Sequence, residues 1–292
     1  MTKIKDDILP RDWSLWSHSK PVVIKPLTGG QTNQTFLIQS VNELLVLRNN
    51  SQLGDVFDLD RDTESSVLIS ASYTGICAPL VYTDPTHRYQ VTQFISGNPW
   101  KKSAAGALEQ LANLLRDIHS LPTIDAYLDI PNKVACYWAS IDKQAAFYPP
   151  LKQLQQKIPF HITAAKQLGD DLSLCHNDLS KGNLIIEKTG QLYAIDWEYA
   201  AMGDRFYDIA VIIEEHTLNR LQQRTLLEHY LGTNPHEKHW QRLYYWRSVY
   251  QYLCLLWYAV QWSSGILKSK QLAEKIDSES RNLLQSTAFT HF

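Results

Sequence analysis

The stretch that most constrains the fold of this chain is HNDLSKGNLIIEKTGQLYAIDWEYA, residues 176–200. His176, Asp178 and Asn183 stand in it in the order H-x-D-x-x-x-x-N, and Asp196 follows thirteen residues after Asn183. The runs NLIIE and QLYAIDW flank a short Lys-Thr-Gly turn, which is the pattern of a β-hairpin. We therefore expect the hairpin to return Asp196 to the level of the loop that holds Asp178.

These side chains have the chemistry that phosphoryl transfer requires. An aspartate before a hairpin can accept a hydroxyl proton, an amide oxygen five residues later can bind Mg²⁺, and a second carboxylate can complete the metal site. Each residue alone would more often cap a turn or end a strand. Their joint spacing favours Asp178 as a catalytic base, with Asn183 and Asp196 as Mg²⁺ ligands.

The segments HNDLSKGN, IDWEYA and GDRFYDIA resemble the catalytic and metal-binding loops of the aminoglycoside phosphotransferase and choline kinase superfamily. Within it, the chain is most similar to the bacterial thiamine kinase and choline/ethanolamine kinase groups. The resemblance implies ATP and Mg²⁺ as cofactors. It assigns His176 to the catalytic set as a structural member of the loop, and Asp208 as a brace from the next helix.

The resemblance also implies an α+β, protein-kinase-like bilobal fold. Residues 1–95 would form a small N-lobe of antiparallel sheet with one helix, and residues 96–292 a larger, mainly helical C-lobe. The local patterns agree with this division. Three strand-like runs fill 22–48, a helical pattern covers 59–73 and two further strands are predicted at 79–83 and 89–95, whereas helical spacing dominates after about residue 97.

The N-lobe is expected to cover the nucleotide. The loop TGGQTNQTF, residues 28–36, lies between two predicted strands, where glycines let backbone N–H groups approach phosphates. It contains neither G-x-G-x-x-G nor GK[ST], which excludes a P-loop NTPase. By resemblance, the nucleotide-binding residues are Gly29, Gly30, Thr32, Asn33, Arg48, Glu64, Gln93 and Ile95.

Within this set, Arg48 ends the third predicted strand and would hold the α- and β-phosphates. We expect its helix partner to be Glu64, although Asp62 is close enough to compete and either carboxylate could instead face solvent. Gln93 and Ile95 would form the hinge that reads the adenine.

Two patterns indicate the acceptor. Six acidic residues against one arginine fall between 196 and 215, and nine aromatic residues fall between 240 and 262. An acidic cleft attracts cations, and aromatic rings bind quaternary ammonium groups. A bulky helical core would explain the aromatic residues equally well, and Cys254 stands where choline kinases have a second tryptophan. The predicted substrate contacts are Glu198, Tyr199, Trp246, Tyr250 and Trp257.

The sequence thus predicts an ATP-dependent kinase that phosphorylates a small cationic alcohol, with thiamine and choline as the best candidates. The alternatives are a kinase for aminoglycosides or another metabolite, and a non-catalytic nucleotide-binding pseudokinase. A net charge of -2 argues against a nucleic-acid partner. A polar N-terminus and four cysteines without a C-x-x-C pair predict a cytoplasmic protein without a membrane partner, as a monomer or homodimer.

Overall fold

The computed structural model describes residues 8–27, 33–51, 54, 56–169 and 171–286. Its first part is a five-stranded antiparallel sheet with the order β1-β2-β3-β5-β4. The strands are β1 (Val22–Leu27), β2 (Gln34–Ser40), β3 (Glu43–Asn49), β4 (Leu80–Thr83) and β5 (Tyr89–Gln93). The register pairs Leu27 with Thr35 and Arg48 with Gln90. This arrangement confirms the sheet predicted for the first part of the chain.

Helix α1 (Arg61–Thr74) connects β3 to β4. It begins where the Asp60 carboxylate accepts hydrogen bonds from the backbone N–H groups of Asp62 and Thr63, and it ends at Gly75, whose φ is 73°. An acidic N-cap and a left-handed glycine are the usual helix boundaries. The prediction of one helix at 59–73 is therefore confirmed to within two residues.

Two short sheets organise the middle of the chain. Strand β6 (Gly97–Pro99) pairs with β8 (Leu184–Glu187), which pairs with β9 (Leu192–Ala194), and β7 (Leu172–Cys175) pairs with β10 (Ala201–Asp204). The β8–β9 pair is the predicted hairpin, and it joins Leu184 to Ala194. As a result, the loop after β7 and the segment after β9 lie side by side.

The remainder is helical. The helices are α2 (Ala107–His119), α3 (Ile130–Ser140), α4 (Tyr148–Gln167), α5 (Arg205–Glu215), α6 (Arg220–Leu231), α7 (Glu237–Ser263) and α8 (Lys270–Gln285). Helix α7 is the longest at 27 residues and packs against α3, α4, α5 and α8. Within the described residues, none of the helices combines the length and the apolar character that a membrane span requires.

The buried apolar residues form two clusters. The larger runs through the helical part and includes Phe57 together with Val67, Leu68 and Ala71 of α1. The smaller lies within the five-stranded sheet and consists of Ile38, Leu45, Leu47, Tyr89 and Val91. The α+β, protein-kinase-like class is confirmed, whereas the boundary between residues 95 and 96 stays a prediction.

Candidate active site

The catalytic loop runs from the end of β7 to the start of β8 and holds Asp178 beside Asn183. The Asn183 side-chain nitrogen donates to the Asp178 carboxylate at 2.8 Å and to the Asp178 carbonyl at 2.8 Å. Because both contacts use the amide nitrogen, the amide oxygen of Asn183 is left to accept or to bind a cation. The spacing in the sequence thus brings the predicted base and one predicted metal ligand into direct contact.

Asp208 of α5 is fully buried and accepts hydrogen bonds from the backbone of this loop. Its carboxylate accepts the backbone N–H groups of Asn177 at 2.6 Å and His176 at 2.9 Å. His119 of α2 lies 3.1 Å from the same carboxylate. Asn177 has a φ of 64°, a region that a residue other than glycine keeps only when its surroundings hold it. The structure therefore gives Asp208 the contacts expected of a brace.

His176 is fully buried beneath the loop. Its Nε2 lies 3.1 Å from the carbonyl oxygen of Ile195, and its Nδ1 lies 3.3 Å from the backbone nitrogen of Asp178. Burial lowers the pKa of the imidazole. The ring connects the Asp178 loop to the residue before Asp196, which fits the structural role that the resemblance implies. Its place in the catalytic set stays a prediction.

Arg48 of β3 reaches both the metal-binding segment and α1. Its guanidinium lies 2.7 Å from Asp196 and 2.7 Å from Glu64, and the Glu64 side chain is 2% exposed. Burial alone would lower the pKa of Arg48, but Glu64 and Asp196 raise it overall. Asp62, the competing candidate, is exposed and faces His87. The structure therefore pairs Arg48 with Glu64.

Several buried carboxylates lie close together around the two loops. Burial, followed by the proximity of Asp196 and Glu198, raises the pKa of Asp178 well above its usual value. Burial and then Glu198 raise the pKa of Asp196 to about 7, against the opposing effect of Arg48. Carboxylate and amide oxygens are the ligands that Mg²⁺ prefers, and a divalent cation would relieve this repulsion. The donor set of Asn183 and Asp196 therefore fits Mg²⁺.

A cavity of about 1210 Å³ is bordered by Arg48, Asp178, Asn183 and Asp196. On the side of the sheet, its lining includes Asn33, Arg48, Gln93 and Ile95. The side-chain oxygen of Asn33 accepts from the Ser51 backbone N–H at 3.0 Å. Four of the predicted nucleotide residues thus face one space, whereas Gly29, Gly30 and Thr32 lie outside the described residues.

Glu198 has partners that the sequence did not reveal. One of its carboxylate oxygens lies 2.9 Å from the Arg61 guanidinium and accepts from the Asn33 side-chain nitrogen at 2.8 Å. Arg61 also lies 2.8 Å from Glu64. Glu198 borders the cavity, and these contacts tie it to α1 and to the residue before β2. Its contact with the substrate stays a prediction.

The opposite side of the cavity is aromatic and acidic. Tyr199, Tyr250 and Trp257 border it as predicted, together with Glu215 of α5. The hydroxyl of Tyr250 donates to Glu215 at 2.8 Å. Glu215 was not among the predicted site residues. The available signal was its position seven residues, or two helical turns, after Asp208.

Trp246 does not border this cavity, so that the structure does not bring it together with the other predicted substrate contacts. It lines a smaller cavity of about 350 Å³, and its indole nitrogen donates to the Asp204 carboxylate at 2.7 Å. Asp204 also pairs with Arg242 at 2.8 Å. Trp246 thus completes a buried polar cluster at the start of α5.

Three further residues border or support the acceptor side without having been predicted. They are Lys133 and Tyr137 of α3, which line the cavity, and Phe57, which packs behind it. Their roles depend on contacts between distant segments. No motif in the sequence indicates such contacts.

A sheet arginine paired with a helix glutamate, together with a loop that holds a buried aspartate, is the arrangement of a protein-kinase-like phosphotransferase fold. The chain belongs to the phosphotransferase enzyme family known as APH, whose model matches residues 23–246. This membership confirms the resemblance that the loops indicated.

Two individual relatives are each 25% identical to this chain over the part that matches. Protein LicA of Haemophilus influenzae is 25% identical over 218 residues, which cover 72% of this chain and 63% of the relative. Thiamine kinase of Salmonella typhi is 25% identical over 169 residues, which cover 55% of this chain and 56% of the relative. The chain therefore spans less than two thirds of the length of either protein.

A solved structure shows the same fold over most of the chain. Choline kinase LicA from Streptococcus pneumoniae superposes with a TM-score of 0.76 at 21% identity, covering 89% of this chain and 94% of that one. At this identity the likeness establishes the fold.

Proposed function

We propose that this protein is an ATP- and Mg²⁺-dependent kinase that phosphorylates the hydroxyl group of a small cationic alcohol, with choline and thiamine as the first candidates. The observation that carries the proposal is the composition of one continuous cavity. Asp178 and Asn183 lie between a nucleotide side with Arg48 and an acceptor side with Glu215 and its aromatic neighbours. The names of the related LicA and thiamine kinase proteins agree with such an acceptor.

In this proposal, Asp178 is the general base. It takes the proton of the acceptor hydroxyl as the oxygen bonds to the γ-phosphorus, while the bond from that phosphorus to the β,γ-bridging oxygen breaks and ADP leaves. Burial beside other carboxylates raises the pKa of Asp178, which makes its carboxylate a stronger base. Asn183 orients the carboxylate through its 2.8 Å hydrogen bond.

The phosphate groups would be held from two sides. Arg48, fixed by Glu64, supplies a permanent positive charge from β3. Asn183 and Asp196 would hold the Mg²⁺, whose contribution when bound is to neutralise charge on the phosphate oxygens. Asp196 has a φ of 64°, so that the structure around it fixes the carboxylate in an uncommon backbone conformation.

The acceptor side accounts for a cationic substrate. Glu214, next to Glu215, already pairs with Arg247 and accepts from Gln251 at 2.7 Å. Glu215 accepts from the Tyr250 hydroxyl, which unlike Arg247 brings no positive charge to the carboxylate. A cationic group beside Glu215 would also meet the ring of Trp257, and a good cation–π contact contributes about 0.5–2 kcal/mol.

The test is a screen for ATP consumption and phosphorylated product over choline, thiamine, ethanolamine, homoserine, methylthioribose and aminoglycosides. We expect turnover with a cationic alcohol. Asp178→Asn should lower kcat by about 10²–10⁴-fold while ATP binding persists. Turnover of a neutral or anionic alcohol alone would reject the cationic acceptor, and wild-type rates in Asp178→Asn would reject the mechanism.

A second experiment tests the charge of the acceptor site. Glu215→Gln should raise KM for the cationic alcohol by about tenfold, equivalent to about 1.4 kcal/mol, and leave KM for ATP nearly unchanged. Glu228→Gln, at a partly exposed position of α6 where the carboxylate also has one partner, Arg224, serves as the matched control. An unchanged acceptor KM in Glu215→Gln would show that Glu215 does not bind the cation.

A further inference from the structure

Residues 56–58, in the connection between β3 and α1, pack into the helical part of the protein. Phe57 is 0% exposed and belongs to the larger apolar cluster. Its ring stacks on Trp257 of α7, with centroids 6.0 Å apart, and meets Tyr137 of α3 edge-on at 6.1 Å. Phe57, which follows the strand that carries Arg48, thus packs behind Trp257 and Tyr137 on the acceptor side of the cavity.

Lys133 of α3 holds this segment in place. Its ammonium group donates to the carbonyl oxygen of Phe57 at 2.8 Å and to that of Asp58 at 3.2 Å. The neighbouring Asn132 donates to the Asp58 carboxylate at 3.1 Å. Asp58 has a φ of 53°, which lies in the left-handed region that is uncommon for residues with a side chain. The contacts from α3 compensate for this conformation.

Lys133 also borders the acceptor cavity. Its ammonium group lies 5.0 Å from the centre of the Tyr199 ring and 5.8 Å from that of Tyr137. Burial lowers the pKa of this lysine, while the Asp58 carboxylate, 3.7 Å away, opposes that effect. The Tyr199 ring therefore already has an internal cation beside it, which leaves Trp257 and Tyr250 as the rings for a cationic substrate.

The same stretch of chain carries the nucleotide residues. Arg48 lies at the end of β3, eight residues before Val56, and Glu64 lies six residues after Asp58. The two are paired at 2.7 Å. A displacement of Glu64 by a bound nucleotide would therefore reach Phe57 through residues 58–64, next to the segment that Lys133 binds from α3.

We propose that Lys133 and Phe57 are positioning residues that couple nucleotide binding to acceptor binding. Lys133 fixes residues 56–58, and Phe57 sets the orientation of Trp257 in the acceptor wall. The identity of the acceptor in this inference rests on the proposed function. The contacts of Lys133 and Phe57 do not depend on it. Coupling of this kind is reciprocal, so that each ligand tightens the binding of the other by the same factor.

The first test measures this factor from initial rates over a matrix of ATP and choline concentrations, or thiamine if that is the better acceptor. In the wild type, we expect saturating ATP to lower the acceptor dissociation constant about fivefold or more. Lys133→Met should bring the factor close to one and raise the acceptor KM, while kcat at saturation changes less. Lys133→Arg, which keeps donors and charge, should restore most of the coupling.

The matched control is Lys152→Met. Lys152 is an exposed lysine 5.1 Å from the ring of Trp138, so that the same cation–π contact is lost away from the cavity. It should behave as the wild type does. If Lys133→Met does not fold, Phe57→Leu, which keeps an apolar side chain at this buried position, provides a second comparison. A wild-type coupling factor in a folded Lys133→Met or Phe57→Leu protein would overturn the proposal.

A second arm does not need an acceptor. Hydrogen exchange of the wild type with and without Mg·ADP should show slower exchange in α3, and Lys133→Met should remove that effect. Absence of the effect in the wild type would reject the coupling. A failure of every alcohol to be phosphorylated would instead reject the proposed function, so that the two failures can be told apart.

Discussion

Replacement of His216 offers a direct test of how burial controls charge beside the catalytic loop. His216 follows α5, is 4% exposed, and places its Nε2 3.0 Å from the carbonyl oxygen of Leu179, the residue after Asp178. Its ring meets Trp100 edge-on at 5.0 Å. Burial lowers the pKa of His216 from 6.5 to about 4. The folded protein therefore holds a neutral imidazole at pH values where the unfolded chain is protonated.

The difference in the His216 pKa between the folded and the unfolded protein determines how stability changes with pH. Between pH 6.5 and about 4 the unfolded chain binds the additional proton, so that the stabilisation is complete above pH 6.5 and is lost as the pH falls through this window. At about 1.4 kcal/mol for each tenfold difference in proton affinity, the total is about 3 kcal/mol, of which about 2 kcal/mol is lost by pH 5.

The assay is urea denaturation of the wild type and His216→Phe at pH 8, 7, 6 and 5. At pH 8 the variant should be less stable by about 1–3 kcal/mol because the Leu179 carbonyl loses its donor. That difference should shrink by about 2 kcal/mol at pH 5. His18→Gln, at an exposed position, should follow the wild type throughout. A difference between wild type and His216→Phe that stays constant from pH 8 to 5 would refute the reasoning.

Three other substitutions test separate features. Glu64→Gln removes the charge that holds Arg48 and should raise KM for ATP about tenfold or more in steady-state assays, whereas an unchanged value would separate the pair from nucleotide binding. Gln261→Leu should increase the free energy of unfolding by about 1–2 kcal/mol in urea, because this fully buried amide lacks a hydrogen-bond partner among the described residues. A lower free energy of unfolding in Gln261→Leu would show that the buried amide does not destabilise the wild type. Gly97→Ala should destabilise by about 1–3 kcal/mol in thermal or urea unfolding, since a Cβ there would lie 2.6 Å from the Ile186 carbonyl oxygen. Wild-type stability would contradict the close approach.

The loops were predictable from the sequence because their residues are close along the chain. The turn between β8 and β9 joins Asn183 to the strand before Asp196, and local hairpin chemistry sufficed to bring them together. Glu64 could be preferred over Asp62 only by resemblance. The structure adds that Glu64 faces inward and Asp62 faces solvent.

The acceptor wall was harder to predict, for a physical reason. Trp246 and Tyr250 are four residues apart on α7 and share one face of the helix. The neighbours of that face change along a helix of 27 residues, so that Trp246 meets Asp204 while Tyr250 meets Glu215. Helical spacing identifies a common face but not its partners. The contacts of Arg61 with Glu198 and of Lys133 with Phe57 depend in the same way on segments far apart in sequence.

The division of the apolar residues into two clusters has a consequence for how the protein opens. Helix α1 belongs to the larger cluster through Val67, Leu68 and Ala71. Among the described residues, the sheet has a separate cluster with five buried members. A cooperative unit with little buried apolar area opens at a lower free energy than a large one. We therefore expect the sheet to loosen first and to carry Arg48 away, while Glu64 stays anchored with the helices. The ion pair between Arg48 and Glu64 would then break when the sheet opens and form again when the sheet refolds onto the helices.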